Sequence, residues 1–559
     1  MLITMFACSL FRRCFRSIVL SALLVLFCGL TASAFAAADT SALSATPPMG
    51  WNDWAHYQCN FTAQTILSNA KALVRTGLAA KGYDTVTIDD CWMQKDRDAQ
   101  GNLQPDLQRF PHGIQPVAEA VHAMGLKFGI YEDAGYATCG GFAGSGVPKG
   151  GGNDHFLQDT RLFASWGVDY LKLDGCNLYV PSGEKKIDIY RKAYAAQHAA
   201  LQAVDRPIVF SESAPAYFQG TPEWYDVLSW IGSYGQLWRE GTDMVNYHPK
   251  TPDTPRFPSV LWNYSYNLPL GRFQKPGNWN DPDFIIGGDS GMTLPETRSQ
   301  LALWSMMSAP LILSSDVDKL SPQAISILGN KEVLAVDQDV LGRMATLVRS
   351  NAAMDVLLKP LNGGDYAVAV LDHSPAAIYV RLRPQDLGFA AADCRLDARN
   401  LWNKAAQPAS AALHFQVASH DTALWRLHPS STCGVPTRTG AITMVVSRKD
   451  HNLDTYARCL STTGRVQNCA GSPAESWTVA DDGSLQAQGK CLDIVNGKLE
   501  MQVCVGSTEQ RWNYNLVGNL ISAEGGKCLS TLGPDTAAQS LRLETCGHNE
   551  PSQIWALPN

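Results

Sequence analysis

The sequence predicts an α/β TIM (β/α)8 barrel, followed by an antiparallel β-sandwich and a C-terminal β-trefoil. Three observations carry this. From about 45 to 340, short β-branched runs alternate with amphipathic helical segments, as in a parallel sheet with crossover helices. From 343 to 428 apolar and polar residues alternate with no helices between them. After 442, a unit with two cysteines and a closing tryptophan recurs three times. The 559 residues suit roughly three or four domains. A net charge of −7 with no basic excess points away from nucleic acid and from an anionic membrane surface. Hydrophobic content of 45% excludes wholesale disorder.

Residues 1–38 read as an export signal. Arg12, Arg13 and Arg16 form a basic start, Ile18 to Leu30 a short apolar core, and Ala34-Phe35-Ala36 a small-residue cleavage site. The alternative is an uncleaved membrane anchor. The leader takes Cys8, Cys14 and Cys28 with it, and 12 of the 15 cysteines remain, an even number that suits a disulfide framework.

The barrel spans 39–342. Its candidate strands are 49–54, 84–90, 127–133, 168–174, 207–212, 237–243, 279–284 and 310–315, with amphipathic segments such as 63–80, 114–124, 155–166 and 185–204 between them. Asp89, Asp90, Glu132, Asp133, Asp174, Glu212, Asp243, Asp281 and Asp283 sit where strands run out. A single such carboxylate is ordinarily a cap or turn residue. So many suggest a ring around one pocket, because barrel sites are built from C-terminal strand ends. Lys172 lies two residues before Asp174 and faces the same way, so its charge would hold a neighbouring carboxylate ionised.

The β-sandwich spans 343–429, with strands at 366–371, 377–382, 413–417 and 422–427. Cys394 and Cys433 are the two cysteines left for this region. Residues 430–441, rich in Ser, Thr, Gly and Pro, read as a linker. The trefoil spans 442–559. Its three units begin at Arg458-Cys459, Lys490-Cys491 and Lys527-Cys528 and close at Trp477, Trp512 and Trp555. Each unit holds two cysteines: Cys459 and Cys469, Cys491 and Cys504, Cys528 and Cys546. Three short units cannot each bury a core, but packed about a pseudo-threefold axis with the tryptophans central they can.

The ordered motifs Pro47-Pro48-Met49-Gly50-Trp51-Asn52, Ile88-Asp89-Asp90-Cys91-Trp92, Tyr170-Leu171-Lys172-Leu173-Asp174-Gly175-Cys176-Asn177, Leu237-Trp238-Arg239 with Asp243, and Trp279-Asn280-Asp281-Pro282-Asp283 carry a resemblance. Residues 45–428 resemble glycoside hydrolase family 27, the α-galactosidases and α-N-acetylgalactosaminidases. SAPAYF (213–218) and WNYSYN (262–267) look most like a subgroup that also carries a C-terminal lectin domain. The tail resembles a ricin-type β-trefoil, carbohydrate-binding module family 13.

The resemblance implies a retaining exo-glycosidase that removes terminal α-D-galactosyl residues by double displacement. Asp174 matches the nucleophile and Asp243 the acid/base, with Asp281 and Asp283 as the runner-up acid, expected instead to cap the turn after strand seven. Such chemistry needs two carboxyls flanking the anomeric carbon, ~5–5.5 Å apart, one ionised and one protonated. Asp89 and Asp90 match the pair that grips the galactose O4 and O6; Arg239 and Lys172 match further sugar ligands; Trp51 and Tyr131 match aromatic walls. β-L-Arabinopyranosidases of this family carry a bulkier acid at one of the paired positions, whereas two aspartates leave room for C6. Ser213 and Ala216 stand where N-acetylgalactosaminidases place small residues, so the volume also permits an acetamide. Cys139 with Cys176, and Cys59 with Cys91, match family disulfides. In the trefoil, only the second repeat keeps the sugar-gripping aspartate, Asp493, with Gln510 and Asn513 closing the unit; a trefoil kept only for structure is the alternative. A carbohydrate-binding protein with an inactive barrel is the reading of another class. The expected partners are galactose-containing oligo- or polysaccharides, with no cofactor, no metal, no nucleic acid and no membrane association after signal cleavage. The expected location is secreted or periplasmic. Asn60 and Asn263 stand in glycosylation sequons.

Overall fold

The computed structural model describes residues 43–244, 255–444, 458–531 and 539–558. The export signal read at 1–38, with Cys8, Cys14 and Cys28, lies outside the described residues. Eight parallel strands form the first sheet: β1 (Met49–Asn52), β2 (Thr85–Ile88), β3 (Lys127–Asp133), β4 (Tyr170–Asp174), β5 (Val209–Glu212), β6 (Leu237–Arg239), β7 (Trp279–Asp281) and β8 (Leu311–Leu313). Their order is β7-β6-β5-β4-β3-β2-β1-β8, and a parallel bridge between Ile285 and Leu313 joins the two edges into a barrel. Each strand lies inside the run read from the sequence. Five stop short of that run, because their last polar residues leave the sheet and turn into the loops at the barrel mouth.

Crossover helices follow in turn: α1 (Ala63–Thr76), α2 (Gln115–Ala123), α3 (Phe156–Trp166), α4 (Lys186–Gln202), α5 (Glu223–Ile231), α6 (Phe257–Asn267) and α7 (Leu294–Met307). Local signals set their ends. Thr293 and Glu296 form a reciprocal capping box at the start of α7, with backbone-to-side-chain bonds of 2.7 and 3.3 Å. Gly77 and Gly167 end α1 and α3 in the left-handed region that glycine tolerates. After β8 come α8 (Pro322–Leu328) and α9 (Lys331–Asp337).

The sandwich comprises β9 (Thr346–Ser350), β10 (Met354–Pro360), β11 (Tyr366–Asp372), β12 (Ile378–Leu382), β13 (Leu396–Asn400), β14 (Ala406–Ser410), β15 (Leu413–Val417) and β16 (Thr422–Pro429). Six form a sheet ordered β14-β13-β16-β11-β10-β9, and β12 pairs with β15. The sandwich packs on α7. Arg298 and Asp421 pair there, and the ammonium of Lys359 donates to the carbonyls of Ser305 and Val336 at 2.7 Å and to the Ser308 hydroxyl at 2.6 Å. Lys359 thereby adds a charged donor to carbonyls in the last turns of α7 and α9.

In the trefoil, Trp477, Trp512 and Trp555 are buried. Each indole N–H donates to the carbonyl of the leucine after its own unit's first cysteine: Leu460 at 2.7 Å, Leu492 at 3.4 Å and Leu529 at 3.0 Å. The repeat seen in the sequence is a repeat of hydrogen bonds. The segment read as a linker ends earlier than expected. Thr439–Ala441 forms a strand, β17, antiparallel to Ser476–Val479, so its last residues belong to the trefoil.

Six disulfides use the twelve cysteines from Cys59 onward. Cys59 joins Cys91 and Cys139 joins Cys176 in the barrel, as the resemblance implied. Cys394 joins Cys433, which ties the sandwich to the segment leaving it. In the trefoil each unit closes on itself: Cys459 with Cys469, Cys491 with Cys504, and Cys528 with Cys546. The within-unit grouping read from the sequence is thus the pairing of the fold. The first cysteine of each unit is buried on a strand; Cys469 is buried as well, whereas Cys504 and Cys546 are exposed, so the second and third bridges pin outer loops to the trefoil core.

Candidate active site

The chemistry gathers at the C-terminal ends of the strands. After β2, Asp89 is buried and accepts from the Lys172 ammonium and the Asn52 amide, both at 2.7 Å, through one oxygen. Its other oxygen takes the Asp90 N–H at 2.9 Å. Burial opposes the charge of Lys172, but the carboxylates of Asp89 and Asp174 outweigh it and hold the ammonium's pKa above its ordinary value. Its Nζ also sits 5.1 Å from the ring centres of Tyr131 and Phe284. Asp90 accepts from the backbone N–H groups of Cys91 at 2.6 Å and Gly140 at 2.7 Å, while burial pushes its carboxyl up.

Asp174, at the end of β4, is half-buried. The Tyr217 hydroxyl donates to one of its oxygens at 2.5 Å, and the Tyr131 hydroxyl lies 3.4 Å from the other. Burial, then the nearby carboxylates, hold both tyrosines well above their usual pKa, so they remain donors. Asp133, also within 3.4 Å of the Tyr131 hydroxyl, is pushed well up by burial and by the charge of Asp174.

After β6, the buried guanidinium of Arg239 spans two carboxylates, Asp243 at 2.9 Å and Asp283 at 3.1 Å. Asp243 is 67% exposed and Asp283 fully buried. Asp283 accepts the N–H groups of Phe284 and Met244 at 2.8 Å, and Asp281 accepts that of Asp283 at 2.9 Å. This is the turn-capping arrangement expected for the pair. Burial raises Asp283 to about 6 against the opposing pull of Arg239.

Two expectations change. The ring of carboxylates is broken, because alternation along a strand turns Glu132 and Glu212 outward. Glu132 lies beside the Arg97–Asp159 pair and Glu212 against the backbone of Gly235. Burial pushes both well up. Second, Trp51 is wholly buried, its indole N–H on the Ser315 carbonyl at 2.8 Å, so it presents no open face to a sugar in this structure. Tyr131 is likewise buried and contributes its hydroxyl rather than its ring face. Ser213 precedes a short 3-10 turn, Ala214–Tyr217, that carries Ala216 and Tyr217. Asn263 is also fully buried, its amide on the Pro282 carbonyl at 2.9 Å, and takes no glycan in the fold; Asn60 is exposed. The sulfurs of Cys139 and Cys176 lie near Asp133 and Asp174 but are joined as a disulfide.

Tyr217 is the site residue that sequence reasoning missed, whereas Asp133, read as one of the strand-end carboxylates, does face the site. Tyr217 stands inside the SAPAYF stretch, where its place two residues past a proline turn was the available signal. In the trefoil, Gln510 is buried and fully engaged. It donates to Asp493 and to the Val503 carbonyl at 2.8 Å, and accepts from Val505 and Gly506 at 2.8 and 3.2 Å. Its place is therefore to hold Asp493, not to touch a ligand. Asn513 is exposed on the strand Trp512–Tyr514.

The chain is similar to known proteins. The family model for α-galactosidase A matches residues 46–339, that for the α-galactosidase C-terminal β-sandwich 351–427, and that for the ricin-type β-trefoil lectin domain 440–555. α-Galactosidase A of Aspergillus niger is 36% identical over 529 residues, covering 93% of each chain. An α-galactosidase of Oryza sativa is 36% identical over 390 residues, 69% of this chain and 86% of that one. Among solved structures, α-galactosidase I of Mortierella vinacea superposes with a TM-score of 0.62 at 28% identity, covering 70% of this chain and all of its own.

Proposed function

The chain belongs to the α-galactosidase A family of glycoside hydrolases, and from that premise we propose that it is a retaining exo-α-galactosidase with Asp174 as nucleophile and Asp243 as acid/base. Asp174 attacks the anomeric carbon while Asp243 gives its proton to the departing glycosidic oxygen. Water then enters, Asp243 takes its proton, and the bond between sugar and Asp174 breaks with the configuration restored. The observation that carries the reading is the unequal setting of the two groups. Asp174 is held by Tyr217 within a half-buried site that already contains the Lys172 cation, as a nucleophile needs. Asp243 stands exposed on the Arg239 guanidinium, where a leaving group and then a water can reach it. Asp89 and Asp90, fixed by Lys172, Asn52 and backbone donors, are the acceptors for the O4 and O6 hydroxyls. Their geometry is set before a sugar arrives, so an equatorial O4 would forgo the hydrogen bond that an axial O4 can make there.

A second substrate reading has one observation behind it. Ser213, just before the turn that carries Tyr217, and Ala216, within it, are both small, which leaves room beside C2 for an acetamide. Hydrolysis of nitrophenyl α-galactoside and its α-N-acetylgalactosaminide side by side decides between them. Turnover of the first in preference supports the main reading, preference for the second transfers it to the amino sugar, and turnover of neither removes the enzymatic assignment. The leader sequence and the six disulfides support export to an oxidising compartment. The second trefoil repeat, through Asp493, supports retention on a galactose-containing polymer.

A further inference from the structure

The third trefoil repeat is packed on the start of α5. The Asn549 amide donates to the Pro222 carbonyl at 3.0 Å and to the Asp226 carboxylate at 2.8 Å, and the His548 imidazole lies 2.8 Å from the other Asp226 oxygen. Asn549 is buried and has φ +50°, a conformation asparagine holds more easily than most residues.

The barrel segment gripped here, 217–226, holds Asp174 and the backbone of the loop that carries Asp243 from its other side. Tyr217 donates to Asp174 at 2.5 Å. Gln219, fully buried, accepts the N–H of Thr242, the residue before Asp243, at 2.8 Å. The Trp224 indole donates to the carbonyl of Glu240, the residue after Arg239, at 2.7 Å. This one short segment thus touches the nucleophile, the acid/base loop and the trefoil in turn.

We propose that Asn549 and Asp226 are positioning residues for the reaction, so that the trefoil acts on the geometry of the catalytic pair and not only as an appended binding module. The proposal rests on the roles given above to Asp174 and Asp243. Misplacing a reacting group by about 1 Å costs on the order of a hundredfold in rate. Slackening a support one layer out from the reacting atoms is expected to cost less, about tenfold.

The test uses the full chain with Asn549→Gly, which tolerates the positive φ, Asp226→Ala, both together, and Asp226→Asn, which keeps an acceptor for Asn549. Rates on nitrophenyl α-galactoside are taken well below the unfolding temperature and normalised to titrated active sites. Each of the first two variants is expected to lower kcat about tenfold with little change in KM, because orientation of reacting groups acts on kcat. The double variant should be no worse than the worse single, and Asp226→Asn should recover most of the loss. Wild-type kcat in both singles, additive losses, or a fall that vanishes on normalisation overturns the proposal. Amide exchange gives a readout independent of turnover. Faster exchange across 217–226 and 239–244 in Asn549→Gly supports the coupling, and unchanged exchange refutes it. An inactive wild-type chain with this exchange response sinks the proposed function and leaves the coupling standing.

Discussion

Replacing Lys172 with methionine isolates the electrostatics beneath the sugar site. Its ammonium lies 2.7 Å from Asp89, with side-chain exposures of 10% and 1%. The change leaves Asp89 with the Asn52 amide at 2.7 Å and the Asp90 N–H at 2.9 Å, but without a counter-charge. Breaking a buried pair in this way costs about 3–5 kcal/mol. The carboxyl can escape by taking a proton, which for an ordinary carboxylate costs about 4 kcal/mol at pH 7 and about 1.5 kcal/mol at pH 5. The expected deficit is therefore about 3–4 kcal/mol at pH 7, shrinking to about 1.5 kcal/mol at pH 5. Adding Asp89→Asn removes the orphaned charge, so the double variant should regain most of the stability and none of the activity. Urea unfolding followed by tryptophan fluorescence at both pH values, on the parent, single and double variants, reads this directly. A single variant as stable as the parent at pH 7, a deficit that ignores pH, or a double variant no better than the single would refute the reasoning.

The buried carboxyls give a pH prediction. Burial raises Asp283 to about 6 and Asp337 to about 8, and pushes Glu132, Glu212 and Glu240 well up. The native state then binds more protons than the unfolded chain, and stability falls as pH rises from about 4 to about 8. Lys359, lowered to about 8 by burial, reverses the slope only above that pH. Calorimetry should give a higher Tm at pH 5 than at pH 8, and the opposite order contradicts this. In the trefoil, Gln510→Ala removes the hydrogen bond that holds Asp493 and frees the 503–506 loop, and should weaken galactose binding at least tenfold on an Asp174→Asn background; unchanged binding by titration calorimetry would detach Asp493 from any sugar site. Ser213→Glu with Ala216→Leu fills the wall beside C2. It should suppress hydrolysis of the N-acetylgalactosaminide while sparing the galactoside, as parallel assays of the two nitrophenyl substrates would show.

The barrel strands were legible because buried parallel strands read as β-branched runs. The crossover helices were legible where one face meets solvent, as in α1 and α4. Helix α7 was not, because it is covered by the barrel on one side and the sandwich on the other, and nearly all of Glu296–Met307 is buried. No polar face remains to give it a helical period. Strand β10 was hidden for the same reason, since Asp355–Leu358 and Lys359 are buried without alternation. The trefoil bridges were legible because the cysteines fall in pairs within each repeat, and a unit of that length closes on its own loop. At the site, Asp174 and Asp243 were readable from motifs, but which carboxylates face the axis was not. Glu132 and Glu212 end their strands as convincingly as Asp174, and only strand register separates them. Tyr217 belongs to a loop whose hydroxyl reaches Asp174 through tertiary folding, a contact that no spacing rule encodes. Gln510 reads as a ligand beside Asp493 in the sequence, whereas its four hydrogen bonds make it a support.

The assignment of Asp174 stands or falls on one measurement. A slow-turnover fluorinated α-galactosyl donor traps the covalent intermediate of a retaining enzyme, and mass spectrometry of the digested protein finds the modified residue. The structure predicts a single hexosyl adduct on the peptide containing Asp174. An adduct on Asp243, Asp281 or Asp283, or steady hydrolysis that releases β-galactose with no adduct formed, would contradict it.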